Sequence, residues 1–195
     1  MDRERSHFVQ LNGLRFHYLT WGDPGRPPLI CLHGLRSYGG TFAGLAETLM
    51  DRFHGVAPDQ RGRGQTDWDP ERGYFADRYA ADLAALVDHL GAGKVHVLGH
   101  SMGGINALAY ALTHADRFAS LILEDSGPEA NDSAGIERIL RELETTPLSF
   151  DDLDEARAFW RSIRPNVTDA AIESRVAHSM KAEGGRIVWR HDQVG

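Results

Sequence analysis

The run Val95-His96-Val97-Leu98-Gly99-His100-Ser101-Met102-Gly103-Gly104 decides the fold of this chain. An apolar tetrad of strand character leads into G-x-S-x-G, and a helical pattern from Gly104 to His114 follows at once. Strand, sharp turn, serine and helix make a nucleophile elbow, in which the hydroxyl is pushed out of the sheet edge into a cleft. Glycines flank the serine because a side chain there would collide with the neighbouring strand or helix.

Upstream of the elbow, two alternating segments, His7 to Leu11 and Leu14 to Leu19, flank Asn12-Gly13, a pair suited to a type I′ turn. They predict an antiparallel hairpin. After the loop Asp23 to Pro28, the continuous apolar run Leu29-Ile30-Cys31-Leu32 reads as a parallel strand covered on both faces. Phe42 to Met50 has helical spacing, His54 to Pro58 reads as a strand, and Tyr74 to Leu90 as an amphipathic helix ended by Gly91 and Gly93. Phe118 to Leu123 is the strand after the nucleophile helix. This alternation predicts an α/β fold, with a mainly parallel sheet and helices on both faces, over residues 1–127.

From Pro128 the pattern changes, and residues 128–195 form the second expected unit. Ser133 to Thr145, Asp151 to Ile163 and Thr168 to Ala182 are helical with no strand expected between them, and Asp132, Asp151 and Thr168 are the expected N-caps. Arg186 to Trp189 is placed to begin a strand.

The bulk numbers narrow the partners. The 195 residues are 42% hydrophobic and carry a net charge of −7, enough for one good core and the wrong sign for nucleic acid or an anionic membrane. The N-terminus has no apolar signal core, and no run is apolar enough to span a bilayer. The single cysteine, Cys31, lies inside a strand, so a buried thiol in a reducing, cytoplasmic compartment is the expectation. The sequence has no metal cluster, phosphate loop or dinucleotide fingerprint, and no cofactor or metal is expected.

Acyl transfer needs a nucleophile, a base, a group to orient that base, and donors aimed at the developing oxyanion. Ser101 is the nucleophile. The backbone N–H groups of Met102, at the helix start, and of Leu35, in the loop His33-Gly34-Leu35, are the expected oxyanion donors. Gly34 lets that loop approach the substrate, and Gly34 and His100 are the expected substrate-binding positions. Trp21, Trp68, Phe159, Trp160, Met102 and Met180 are candidates for an acyl pocket, although aromatics on helices more often serve the core.

His33-Gly34, then Asp59-Gln60-Arg61-Gly62-Arg63-Gly64, then Gly99 to Gly104 occur in an order and spacing that resemble the α/β-hydrolase family. The branch it looks like holds small bacterial esterases and lactonases with a helical lid, with residues 128–182 corresponding to the lid. The resemblance implies a serine hydrolase acting on a small carboxylic ester or lactone through an acyl-enzyme. Serine in place of aspartate at the elbow disfavours dehalogenase and epoxide-hydrolase chemistry. It also implies that His33 and His100 shape the oxyanion loop and elbow rather than act as base, while Asp59 and Arg61 read as fastenings of a turn.

In that family the acid and the histidine base follow the serine in chain order, normally on loops after two strands beyond the lid. This chain stops where those strands would begin, so the base is expected to be missing. Asp125, closing the strand after the nucleophile helix, is the candidate acid, with a turn-capping carboxylate as the alternative. His114, His178 and His191 follow Ser101. His114 is expected to be a solvated imidazole at a helix end, and neither of the others has positional support as a base. The competing expectation is therefore a truncated or non-catalytic relative that needs a complementing C-terminal segment. In either case the strand at Phe118 to Leu123 is expected to present an open edge and to drive self-association or pairing with such a segment.

Overall fold

The computed structural model describes residues 4–127 and 133–193. Its first half is a six-stranded sheet of β1 (Arg5–Leu11), β2 (Leu14–Trp21), β3 (Pro28–Leu32), β4 (His54–Pro58), β5 (Val95–His100) and β6 (Phe118–Glu124). The spatial order is β1-β2-β4-β3-β5-β6, antiparallel at β1/β2 and β2/β4 and parallel across the rest. The hairpin forms as expected, with Asn12 and Gly13 both at positive φ, 49° and 83°.

The period-two alternation of β3 sorts its side chains between two cores. Ile30 and Leu32 join Phe16, Val56 and Val97 beneath α2 (Ala76–His89) and α3 (Met102–His114), whose Leu83, Leu86, Val87, Ala107 and Tyr110 cover that face. Leu29 and Cys31 join Leu19 and Trp21 on the other face, under Phe42 and Ala46, where a 3-10 turn (Gly39–Phe42) runs into α1 (Ala43–Leu49). Helices cover both faces, as the α/β pattern requires. Burial pushes the Cys31 thiol up to about 12, so it is an inert core group. Trp21 is part of this core rather than of a pocket.

β6 differs from the other parallel strands. β3 buries four of its five residues, whereas none of the residues of β6 is fully buried and Ile122 is 49% exposed. Among the described residues nothing pairs with its outer edge.

The second half holds α4 (Ser133–Thr145), α5 (Leu153–Ile163) and α6 (Asp169–Ser179), and it departs from expectation in several places. A two-residue strand, β7 (Ser149–Phe150), lies between α4 and α5 where no strand was expected. The third helix ends at Ser179, and Met180–Glu183 forms β8, which turns at Gly184-Gly185 into β9 (Arg186–Trp189). The three make a separate antiparallel sheet, ordered β7-β9-β8, so β9 stays with the helices rather than rejoining the main sheet. Phe150, Phe159, Trp160, Ile172, Met180 and Trp189 pack there as a third core, which makes Phe159, Trp160 and Met180 structural.

The N-cap of α5 is Asp152, not Asp151: its carboxylate accepts from the N–H groups of Asp154 and Glu155, both at 2.9 Å. Asp151 instead donates its backbone N–H to Glu155, and its carboxylate pairs with Arg186. Thr168 caps α6 as expected, accepting from Ala171, while Asp132 lies outside the described residues. Beyond β9 the chain touches the first half again. Asp192 donates its N–H to Gly62 at 2.8 Å and accepts from the Tyr74 hydroxyl at 2.7 Å, and the indole of Trp68 donates to Arg190.

Candidate active site

The elbow sits where β5 meets α3. Ser101 takes φ 50° and ψ −118°, a conformation of the II′-turn kind that an L-residue adopts at a cost of order 1–3 kcal/mol. The surrounding contacts hold it there. Its N–H donates to Glu124 O at 2.8 Å, tying the turn to the end of β6, and its carbonyl accepts from Gly104 at 2.9 Å. Gly103 is obligatory for packing, because a Cβ at that position would run into the backbone of Leu32 and lie 2.8 Å from the carbonyl oxygen of His33. The helix start is thus pressed directly against the loop after β3.

That loop is fixed by a buried chain of hydrogen bonds. The His33 ring donates from Nδ1 to Gly34 O at 2.8 Å and accepts at Nε2 from the Gln60 N–H at 3.0 Å, so it is a neutral imidazole. Burial lowers its pKa to about 4, an effect opposed by the bond to Gly34 and the charge of Asp59. The Gln60 side chain donates to His33 O at 2.6 Å and accepts from the Asn106 amide at 2.8 Å, which links the loop to α3. Gln60 and Asn106 are the positioning groups that sequence reasoning passed over. The available signal was a lone amide, Asn106, on the buried face of an otherwise apolar helix.

The consequence is a close approach of the loop to the side chains of the elbow. A Cβ on Gly34 would lie 2.8 Å from His100 Nδ1 and 3.4 Å from the Ser101 Cβ, so a side chain there would have to displace the His100 ring. Gly34, His100 and Ser101 are therefore neighbours. Leu35 follows at 40% exposure, and Met102 opens α3 and is half-buried.

Asp59 and Arg61 fasten the turn after β4, but through partners well beyond it. The Asp59 carboxylate accepts from the His17 ring at 2.7 Å, the Gly39 N–H at 2.7 Å and the Gln65 N–H at 2.9 Å. Burial works to raise its pKa, and these donors, led by His17, outweigh it and hold the group below the usual carboxylate range. Arg61 makes a fork on Asp82 at 2.6 and 2.7 Å and reaches Asp69 at 2.6 Å.

Asp125 sits one residue past β6 at φ 50°, with its carboxylate 4.0 Å from His100 Nε2 and mostly exposed. It meets His100 and not one of the later histidines. His114 sits at the end of α3 as expected, half-buried, with its ring stacked on Tyr110 at 4.6 Å and bonded to the exposed Thr113 hydroxyl. His178 donates to Ser174 O and stacks on Tyr38, and His191 packs against Trp189. Among the described residues no histidine forms a hydrogen bond with the Ser101 hydroxyl. No group of three or more His, Cys, Asp or Glu side chains that could hold a metal occurs among them either.

Residues 27–183 match the family model described as alpha/beta hydrolase fold. The chain belongs to the alpha/beta hydrolase family. It is 35% identical over 151 residues to a 3-hydroxybutyrate-oligomer hydrolase of Cupriavidus necator, covering 76% of this chain and 51% of that protein. To a 2-(acetamidomethylene)succinate hydrolase of Mesorhizobium japonicum it is 32% identical over 149 residues, covering 76% and 53%. The crystal structure of an alpha/beta hydrolase from Novosphingobium aromaticivorans superposes with a TM-score of 0.84 at 28% identity, over 99% of this chain and 70% of that one. The chain therefore spans about half the length of these curated relatives, which are hydrolases of differing chemistry. No helix among the described residues is long and apolar enough to cross a membrane.

Proposed function

We propose that this chain carries the nucleophile and oxyanion hole of a serine hydrolase that cleaves carboxylic esters or lactones. The observation that supports it most is the backbone of Ser101, held in a strained turn at the start of α3. Strain of this kind persists only where surrounding structure over-determines it, and here it serves to present a hydroxyl.

In this reading residues 1–127 are the catalytic core and 128–195 the lid. Ser101 Oγ attacks the carbonyl carbon, and its proton passes to a base. The oxyanion accepts hydrogen bonds from the N–H groups of Met102 and Leu35, aided by the positive end of α3. Collapse expels the alcohol and leaves the acyl group on Ser101. Water then releases the acid by the same route in reverse. Asp125 is the acid, and His100 and Gly34 border the substrate. A lactone would give the ring-opened hydroxy acid by the same steps. The lone buried thiol fits a reducing, cytoplasmic setting.

A second reading rests on the histidines. With none bonded to the Ser101 hydroxyl among the described residues, the chain would be folded but non-catalytic until a complementing segment supplies the base. Its natural docking place is the open edge of β6, which also favours pairing between two copies.

The test is turnover of p-nitrophenyl acetate and of a simple lactone by the chain and by Ser101→Ala. Loss of a catalytic serine lowers kcat by roughly 10⁴-fold or more in an intact triad. A Ser101-dependent rate supports the first reading. Equal background rates in the two chains, with activity restored by an added C-terminal segment, support the second. Equal rates that no added segment restores would remove both.

A further inference from the structure

One turn of chain separates two arginines with opposite fates. Arg61 is buried and saturated by Asp82 and Asp69. Arg63 is just as buried, at 2% exposure, yet it forms no ion pair among the described residues. Its Nη1 donates to Gly62 O at 3.1 Å, its guanidinium lies 5.3 Å over the Tyr74 ring, and its Nε is buried without a partner. A desolvated cation whose hydrogen bonds are incomplete is costly.

Arg63 lines a cleft of about 300 Å³ whose other walls include Leu35, Arg36, Leu143 and His191. Arg36 is half-buried, reaches only Leu143 O at a long 3.5 Å, and likewise pairs with no described carboxylate. Burial and the nearby Arg63 both lower its pKa, against a smaller pull from Glu142. His191 is buried with Nε2 unpartnered, and burial together with Arg36 and Arg63 takes its pKa down to about 3, so it is neutral. Two carboxylates also line the cleft. Asp192 already accepts from the Tyr74 hydroxyl, and Glu144 is exposed at the rim. Asp192 is thus already partnered, and Glu144 pairs with neither guanidinium among the described residues.

The cleft begins one residue from the point where Gly34 packs against Ser101. We propose that it receives a carboxylate of the substrate, held by Arg36 and Arg63, so that the chain prefers esters whose acyl part carries a free carboxylate over neutral esters. The planar fork of a guanidinium matches a carboxylate in two-point contact, and a dry wall strengthens it. Two such groups that pair with no carboxylate among the described residues are what an anion-binding pocket requires, whereas a structural pair would look like Arg61 with Asp82. The preference among esters rests on the Ser101 reading; the binding of the carboxylate does not.

The experiment is equilibrium binding to the Ser101→Ala chain, read by calorimetry or by chemical-shift changes, so that no turnover is needed. The probes are monomethyl glutarate, an anion, and dimethyl glutarate, its neutral counterpart. Monomethyl glutarate is expected to bind at least about tenfold more tightly than the diester, with an affinity that falls as salt is raised. Arg36→Asn, which tolerates the φ of 56° at that position, is expected to remove most of the difference. Arg63→Lys keeps the buried charge and the fold but loses the fork, and is expected to weaken the anion by a smaller factor. Equal binding of the two probes, no binding of the anion at millimolar concentration, or an Arg36→Asn chain that still discriminates would each overturn the proposal. None of these results bears on whether Ser101 is a nucleophile.

Discussion

The sheet half and the helical half are held together by different physics. In the sheet half, polar groups are buried and interlocked: His17 on Asp59, Arg61 on Asp82, and His33 through Gln60 to Asn106. The first two fix the turn after β4, and the third ties the loop after β3 to the helix that follows Ser101. In the helical half the core is aromatic, with Phe150, Phe159, Trp160 and Trp189 edge to face, and its charges pair on the surface, as Arg161 does with Asp169. Geometry is specified residue by residue where chemistry needs it, and by general apolar character where it does not.

The contrast can be broken by substitution. Asp82→Ala leaves the Arg61 guanidinium buried with Asp69 as its remaining carboxylate partner, and a loss of about 3 kcal/mol in unfolding free energy is expected from urea titration. A change below 1 kcal/mol would mean that the buried network is dispensable. Smaller, and shared by the whole sheet half, is the response to acid. His33 has a native pKa of about 4 against roughly 6.5 unfolded, so its contribution is complete above pH 6.5 and fades as the pH falls toward 4. The unfolded chain takes up a proton that the native state refuses. Urea titrations at pH 7 and pH 5 should differ by roughly 2 kcal/mol from this group alone, with the acid sample weaker. Greater stability at pH 5 would contradict the neutral, buried assignment.

Association through β6 is expected to show next, as a sedimentation or sizing profile that shifts with concentration and that a charged residue at Ile122 suppresses. A monomer at every concentration would argue that the exposed edge is inert. The smallest effect belongs to the surface pairs. Arg161→Ala should leave the unfolding midpoint within error of the parent, since exposed pairs are screened by water and salt. A clear loss there would erase the distinction between the two halves.

The same distinction governs what could be read from the amino acids. Leu29 to Leu32 announced a buried strand because both faces are apolar, Val95 to Leu98 did so through Val95 and Val97 on its buried face, and the elbow announced itself because its glycines answer to backbone contacts that nothing else satisfies. β7, two residues long, has no periodicity to detect, and Met180 to Glu183 continues the α6 pattern closely enough to read as helix. Asp151 and Asp152 are chemically identical cap candidates, and only backbone direction separates them. The cleft was invisible for another reason: Arg36, Arg63 and His191 come from three distant parts of the chain, and no local pattern marks an arginine as unpaired.

The most direct test of the account is covalent labelling of the folded chain with a fluorophosphonate, read by intact mass and by mapping of the modified peptide. An elbow that presents an activated hydroxyl predicts one adduct, on Ser101, absent from Ser101→Ala. No adduct on the folded chain, with or without an added C-terminal segment, or an adduct on a different serine, would contradict it.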